Sequence, residues 1–286
     1  MNAVKSISFV GAGALAGGLA KLLHAQGFMI DEIIARPRPE SRRKASRLAR
    51  SVGAASTTLA VAKLNCDVLW LAVPDEAVEG ISLALAEHAA LPQIVLHASG
   101  ALSSQVLAPL KNRGVNTGSA HPMMTFVAGE PPSLQGAWFA VEGTPVAVRA
   151  ARAIAKKLGA NSFSIKPASK ILYHAFGAML SPMLATELAA AERVGLRAGI
   201  CARDVRRIME PIVLRTVQNV LRSGAERSFS GPLARGDVRT VEAHLESLAS
   251  SAESIVYRAL AKYATGVLPV KRSSEMKKLL SRGGKQ

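Results

Sequence analysis

His121, Lys170 and His174 are the side chains whose types and spacing suit proton transfer near neutral pH, and Ser99 adds a hydroxyl nearby. His121 opens the run His121-Pro122-Met123-Met124-Thr125-Phe126, and Ser99 lies in His97-Ala98-Ser99-Gly100. A histidine at the end of a strand could exchange a proton with a hydroxyl or amine while a hydride moves at carbon. It could equally close the strand end through backbone hydrogen bonds, and the spacing leaves both readings open. His97 falls nearer the strand interior and is expected to be structural. Lys170 and His174 stand four apart and share one helical face. A lysine partly desolvated in a cleft would be a proton donor. Spacing alone favours a solvated lysine beside a packed histidine.

These residues need elements that bring them together. Up to about residue 166, short apolar runs alternate with amphipathic stretches. The strand candidates are 6–10, 32–35, a short run near Ala54, 67–73, 93–99, 115–121 and 138–143. Apolar strands alternating with helices imply a doubly wound parallel sheet covered on both faces. In such a sheet the loops after the strands form one rim, so Ser99 and His121 should converge there. From about Pro167 no strand pattern follows. Helical stretches at 168–195, 203–222, 237–249 and 251–265 indicate an all-α C-terminal domain. Pro182 and Pro211 should each kink or break a helix, and Asp237 is placed to cap one. The expected division is 1–166, a Rossmann-like dinucleotide-binding domain; 167–270, a helical dimerisation and substrate domain; and 271–286, a flexible basic tail.

Gly11-Ala12-Gly13-Ala14-Leu15-Ala16 fits GxGxxA between a strand and a helix. The first glycine permits a tight turn, the second lets backbone approach a pyrophosphate, and the small third residue allows close helix packing. The apolar run containing it also invites reading as a signal peptide. Its glycines dilute the hydrophobic region, Lys5 is the single basic residue ahead of it, and no clean cleavage site follows, so the dinucleotide turn is preferred. Past the second strand come Arg36 and Arg38, then Arg42, Arg43 and Lys44, where NAD enzymes place a carboxylate. Guanidinium groups there suit a 2′-phosphate, so the expected cofactor is NADP. Val73 and Pro74 end the strand at 67–73 and fall on the ligand-facing rim.

The net charge of +16 is uneven: residues 36–50 hold seven basic side chains and one Glu, and residues 271–286 hold six and one. Such clusters attract phosphorylated ligands, anionic lipid or nucleic acid. No nucleic-acid motif is present and aromatics are only 4% of the chain, which disfavours nucleic acid. No apolar run reaches the roughly 18 to 20 residues of a membrane span. The two cysteines, Cys66 and Cys201, are far apart and no metal-ligand spacing occurs, so neither a disulfide framework nor a metal is expected. A cytoplasmic setting follows from that cysteine usage. In Ser230–Asp237, Arg235 and Asp237 are expected to pair or cap, with a substrate contact as the alternative.

The segments HASGALSSQVL, HPMMTF, KILYHAF and GPLARGD, in this order and spacing, resemble a family classed as NADP-dependent oxidoreductases. Its members join a Rossmann-like domain to a helical domain of unknown function, and the resemblance spans residues 5–265. The layout is more distantly similar to pyrroline-5-carboxylate reductase and to β-hydroxyacid dehydrogenases, including 6-phosphogluconate dehydrogenase. The latter carry KxxxN, whose lysine is the general acid/base; Lys170 matches it and His174 stands in place of the asparagine. Prephenate and arogenate dehydrogenases carry a serine loop and an HPM histidine, which Ser99 and His121 match. The glycine usual after HPM is replaced here by Met124-Thr125-Phe126. The family's common asparagine after the serine in the first C-terminal helix is Pro182 here, following Ser181. The resemblance implies Lys170, His121, His174 and Ser99 as catalytic residues acting on a small anionic carbonyl, imine or hydroxy-acid substrate, in a homodimer joined by the helical domain. A nucleotide-binding sensor or scaffold that has lost its chemistry is the alternative.

Overall fold

The computed structural model describes residues 4–282. Eight strands, β1 Ser6–Val10, β2 Met29–Ala35, β3 Ala55–Thr58, β4 Val68–Leu71, β5 Ile94–His97, β6 Asn116–Pro122, β7 Trp138–Gly143 and β8 Asn161–Ser164, form one sheet. Their order is β3-β2-β1-β4-β5-β6-β7-β8. The crossovers carry helices α1 Ala14–Ala25, α2 Pro39–Ser51, α3 Asp75–Ala86, α4 Ala108–Asn112 and α5 Pro145–Lys157. The doubly wound α/β reading therefore holds.

Both faces of the sheet are buried, which is why β4 is apolar throughout and β5 is apolar up to His97. One face gathers Ile7, Phe9, Trp70 and Phe139 against Leu19 of α1 and Ile154 of α5. Trp70 stacks on Phe9 at 6.0 Å and lies 6.5 Å from Phe139, so a chain poor in aromatics concentrates three at one point. The other face packs Leu69, Leu71 and Val95 against Val78 and Leu85 of α3 and Leu110 of α4.

Two features depart from the sequence expectation. β7 runs antiparallel to β6, and the sheet gains an eighth strand, β8, parallel to β7. The physical reason lies in the connection: residues 123–137 contain no helix. Without a crossing helix this chain returns alongside its neighbour, whereas a parallel partner needs a crossover back to the other end of the sheet, most often a helical one. β8 was missed because NSFS has little apolar alternation.

The chain divides into two compact units, one ending at Met179 and the other beginning at Leu180. Helix α6, Lys170–Ala178, thus belongs with the sheet, beyond the boundary expected after residue 166. A π-helical turn at 179–183 contains Pro182, whose missing N–H interrupts regular bonding. The second unit comprises α7 Leu184–Arg197, α8 Ala202–Ser223, α9 Ala225–Ser228, α10 Pro232–Arg235, α11 Val238–Ser247, α12 Ala252–Val267 and α13 Ser273–Ser281. Helix α8 continues through Pro211 rather than ending there. Asp237 caps α11, accepting from the Thr240 N–H at 3.2 Å and from its hydroxyl at 2.7 Å.

The basic tail also differs from expectation. Residues through Ser281 form α13, whose Met276, Leu279 and Leu280 are buried with Val241, Leu245 and Ala261. Their spacing of three and four makes an apolar stripe that basic neighbours obscure in a charge count. Residues 283–286 lie outside the described part. No helix among the described residues is long and apolar enough to cross a membrane.

Since Met276 is fully buried, Met276→Ala should destabilise the chain by roughly 2 to 5 kcal/mol. Urea denaturation followed by circular dichroism checks this; an unchanged midpoint would mean that α13 does not pack as described.

Candidate active site

β1 delivers the chain to Gly11, whose φ of +114° suits glycine. A Cβ there would lie 2.3 Å from the Ala72 carbonyl oxygen, so the turn is closed to any side chain. At Gly13 the corresponding position is open, with no heavy atom within 4 Å. Gly13 is the N-cap of α1, and no side chain caps the helix, so its first amides face outward. A cavity of about 280 Å³ sits at this turn, lined by Gly11, Ala12, Gly13, Arg36, Val73 and Pro74, with Ser41 and Lys44 of α2. Six of the residues expected to hold the dinucleotide therefore meet around one space. The rest behave differently. Ala16 is buried beneath the turn, Leu15 packs against the core, and Ala14 lines an adjoining cavity. Arg38 is the exposed N-cap of α2 and does not line the 280 Å³ cavity.

These residues fit a dinucleotide phosphate: an open backbone at a helix N-terminus, and cations at the end of β2. Lys44 is paired with Glu40 at 2.8 Å on the surface.

The second half of the site arises where one face of the sheet turns polar. β5 pairs with β6 so that His97 lies beside Ser119, and β6 pairs with β7 so that Ser119 lies beside Glu142. His97, Ser119 and Glu142 thus form a buried polar row across three strands. Thr117 and His121 flank Ser119 on the same face of β6. Above this row, α6 inserts Lys170.

Lys170 is fully buried. Its Nζ donates to the Ser99 carbonyl at 2.7 Å and to the Ser119 hydroxyl. This reverses the arrangement favoured by spacing, for the lysine is packed and His174 is the exposed member. Burial lowers the Lys170 pKa to about 8, against the opposing pull of Glu142 and Asp75. Ser99 points its hydroxyl at its own loop, accepting from the N–H groups of Ala101 and Leu102. Glu142 accepts from the N–H and hydroxyl of Ser104 at 2.6 and 2.7 Å.

The same helix places Tyr173 and His174 one turn beyond Lys170. Tyr173 Oη lies 2.8 Å from His121 Nδ1. The His121 and His174 rings meet edge to face at 6.2 Å. Burial, reinforced by the Lys170 charge, lowers the His121 pKa to about 4, so its ring is neutral at pH 7. Burial raises the Tyr173 pKa to about 12, and the phenol keeps its proton. If Tyr173 donates to Nδ1, the neutral ring carries its proton on Nε2. That atom faces Gly100, where a Cβ would lie 2.9 Å from Nε2 and 2.7 Å from His174 Cδ2. Gly100 thus keeps open the space between two imidazoles. His97 is fully buried, accepts the Ser99 N–H at 3.2 Å, and has its pKa lowered to about 3 by burial.

The four residues expected to do chemistry therefore lie in one cluster around the β5 and β6 ends and α6. Sequence reading missed Ser119, Glu142, Tyr173 and Gly100. The alternation Thr117-Gly118-Ser119-Ala120-His121 is a signal for Ser119, and Tyr173 follows from its three-residue offset from Lys170. Nothing local marks Glu142, because its strand runs backwards. Among the described residues no group of three or more His, Cys, Asp or Glu side chains is placed to hold a metal.

The architecture is that of a Rossmann-like α/β domain followed by a helical one. A Rossmann-like domain matches residues 1–122, and the Domain of unknown function (DUF2520) matches residues 137–264. The chain carries these two domains in this order, the arrangement that its motifs imply. No curated protein matches the sequence. Among solved structures, it resembles a Bacteroides fragilis protein provisionally called an NADP oxidoreductase. The TM-score is 0.77 at 23% identity, over 91% of this chain and 97% of that one. A Thermotoga maritima protein gives 0.67 at 21% identity, over 95% and 98%. The 1-pyrroline-5-carboxylate reductase of Streptococcus pyogenes gives 0.61 at 15% identity, over 97% and 100%. At these identities the likeness is one of fold.

The buried lysine gives a pH signature. Below pH 8 both native and unfolded chains hold its proton, whereas between about 8 and 10.5 the unfolded chain alone does. Stability contributed by this group should therefore rise with pH across that window, by about 3 kcal/mol. Urea midpoints of wild type and Lys170→Met from pH 7.5 to 10.5 check it: the difference between them should change in that sense, and parallel curves would contradict it.

Proposed function

We propose that this chain is an NADP-dependent oxidoreductase that reduces or oxidises a small anionic carbonyl, imine or hydroxy-acid compound. The observation that carries this reading is the pairing, within one compact unit, of an open glycine turn beside Arg36 with the Lys170–His121 cluster. The Bacteroides likeness supports the cofactor. The Streptococcus reductase, whose named substrate is a cyclic imine bearing a carboxylate, supports the substrate class.

In this reading the α1 amides after Gly13 take the diphosphate, and Arg36 takes the 2′-phosphate. Bound nicotinamide supplies or accepts the hydride. The chain's own residues manage charge and protons. The neutral His121 offers its Nε2–H as a fixed donor to an oxygen or nitrogen gaining negative charge. Lys170, with a pKa of about 8, can release and regain a proton near neutrality, with Ser119 as its immediate partner. It also holds the Ser99 loop by the backbone carbonyl. The exposed His174 is placed to meet an anionic substrate. A homodimer through the helical unit is part of the proposal: Ile208, Ile212, Leu214 and Leu221 of α8 are exposed, and α7 buries no residue of its own. A second copy would cover such a surface.

Fluorescence titration with NADPH and NADH tests the cofactor. NADPH should bind more tightly, and Arg36→Ala should weaken NADPH at least about tenfold while leaving NADH nearly unchanged. Tighter NADH binding with no response to Arg36→Ala would refute the assignment. Turnover on cyclic imines and keto acids tests the chemistry: wild type should act on a member of that panel, and Lys170→Ala/His121→Ala should abolish it. Full turnover by the double variant would sink the mechanism.

A further inference from the structure

The segment between β6 and β7 touches both halves of the site, and each contact falls on a glycine. Met123, two residues after His121, packs on Gly177 of α6; a Cβ at Gly177 would lie 2.9 Å from the Met123 sulfur. Phe126, three residues further on, lies across Gly18 of α1, where a Cβ would meet its ring at 2.6 Å. Phe126 also packs against the core, and Pro131 lies 3.6 Å from the same Gly18 position. Neither glycine has a positive φ. Each is small because a side chain from the loop occupies its surface.

Beyond Phe126, Val127, Ala128, Gly129 and Pro131 form one wall of a cavity of about 360 Å³. Its other walls include Ala12 and Gly13 of the phosphate turn, with Lys21, Lys44 and Arg47. One short segment therefore links the helix bearing Lys170, the helix opening at the phosphate turn, and His121 itself. The first residues are tied to the sheet: the Met123 N–H donates to the Trp138 carbonyl at 2.8 Å, and the Met124 N–H to the Pro122 carbonyl at 2.9 Å. Phe126, seated on α1, is thus separated by two residues from the strand-bonded Met123 beside His121.

We propose that residues 122–131 act as a strap coupling the phosphate turn to the His121–Lys170 cluster, with Phe126 as a positioning residue seated on Gly18. Phe126 does not line the 280 Å³ cavity and acts through Met123 and His121. The functional meaning of this coupling rests on the oxidoreductase reading above; the strap contact does not.

Hydrogen exchange on the full chain, with and without NADPH, tests it. Without ligand, Phe126→Ala and Gly18→Ala should each speed exchange at the Met123 and Met124 amides about tenfold. The two effects should not add, because without the ring an added methyl at Gly18 has nothing to displace. Phe126→Leu, which keeps an apolar anchor and guards against simple misfolding, should stay near wild type. With NADPH, wild type should gain protection both at residues 11–16 and at residues 97–102. Phe126→Ala should keep the first and lose the second, with NADPH affinity within about threefold and kcat lower on the order of tenfold. Additive single effects, or unchanged Met123 and Met124 exchange in Phe126→Ala, would overturn the strap. Failure of wild type to bind NADPH would instead overturn the oxidoreductase reading, while the ligand-free exchange cycle would still decide the strap.

Discussion

The ammonium group of Lys170, taken wholly out of water, is the constraint around which the rest of the site is arranged. A buried cation is tolerated only when acceptors surround it. Here they are the Ser99 carbonyl and the Ser119 hydroxyl, with Glu142 and Asp75 contributing longer-range attraction. The requirement for acceptors fixes α6 against the ends of β5 and β6. Once α6 is fixed, helical geometry brings Tyr173 and His174 to His121 without further design. The same charge helps keep His121 neutral. Position and protonation state in this cluster are consequences of one burial.

That burial also explains the mixed character of the sheet. On β4 the face beneath α3 is apolar, and its Leu69 and Leu71 pack as an ordinary core. On β5, β6 and β7 the same face carries His97, Ser119 and Glu142. Ser119, Glu142 and the Nδ1 of His97 have the partners named above, and together they give α6 a polar seat. The opposite face stays apolar from Ile7 to Val141, so the sheet keeps one continuous core while the other side carries the site.

Much of this was legible in the sequence where local rules decide. The strands of the doubly wound half, the glycine turn and the Asp237 cap all follow from periodicity and capping chemistry, which depend on near neighbours. The grouping of His121, Ser99 and Lys170 came from strand order together with family motifs. What escaped detection depends on distant pairing. Glu142 joins Ser119 only because β7 reverses, and no residue near Glu142 announces that reversal. The Lys170 environment was misjudged from spacing, since a four-residue interval says which side chains share a face and not what lies over it. In α13, counting charges hid the buried triplet Met276, Leu279 and Leu280.

The reversal at β7 has a consequence for how such a molecule can diversify. Because β6 and β7 are antiparallel, the carboxyl end of one and the amino end of the other share a rim, with Pro122 opposite Phe139. The chain between them begins and ends beside His121 and never crosses the sheet. Lengthening or recasting that segment would reshape the wall of the site without rethreading any strand. A parallel crossover would have to traverse the sheet, most often through a packed helix, and would vary less freely. One change of strand direction thus turns a structural connection into an adjustable margin, free to follow the shape of whatever small molecule the polar cluster serves.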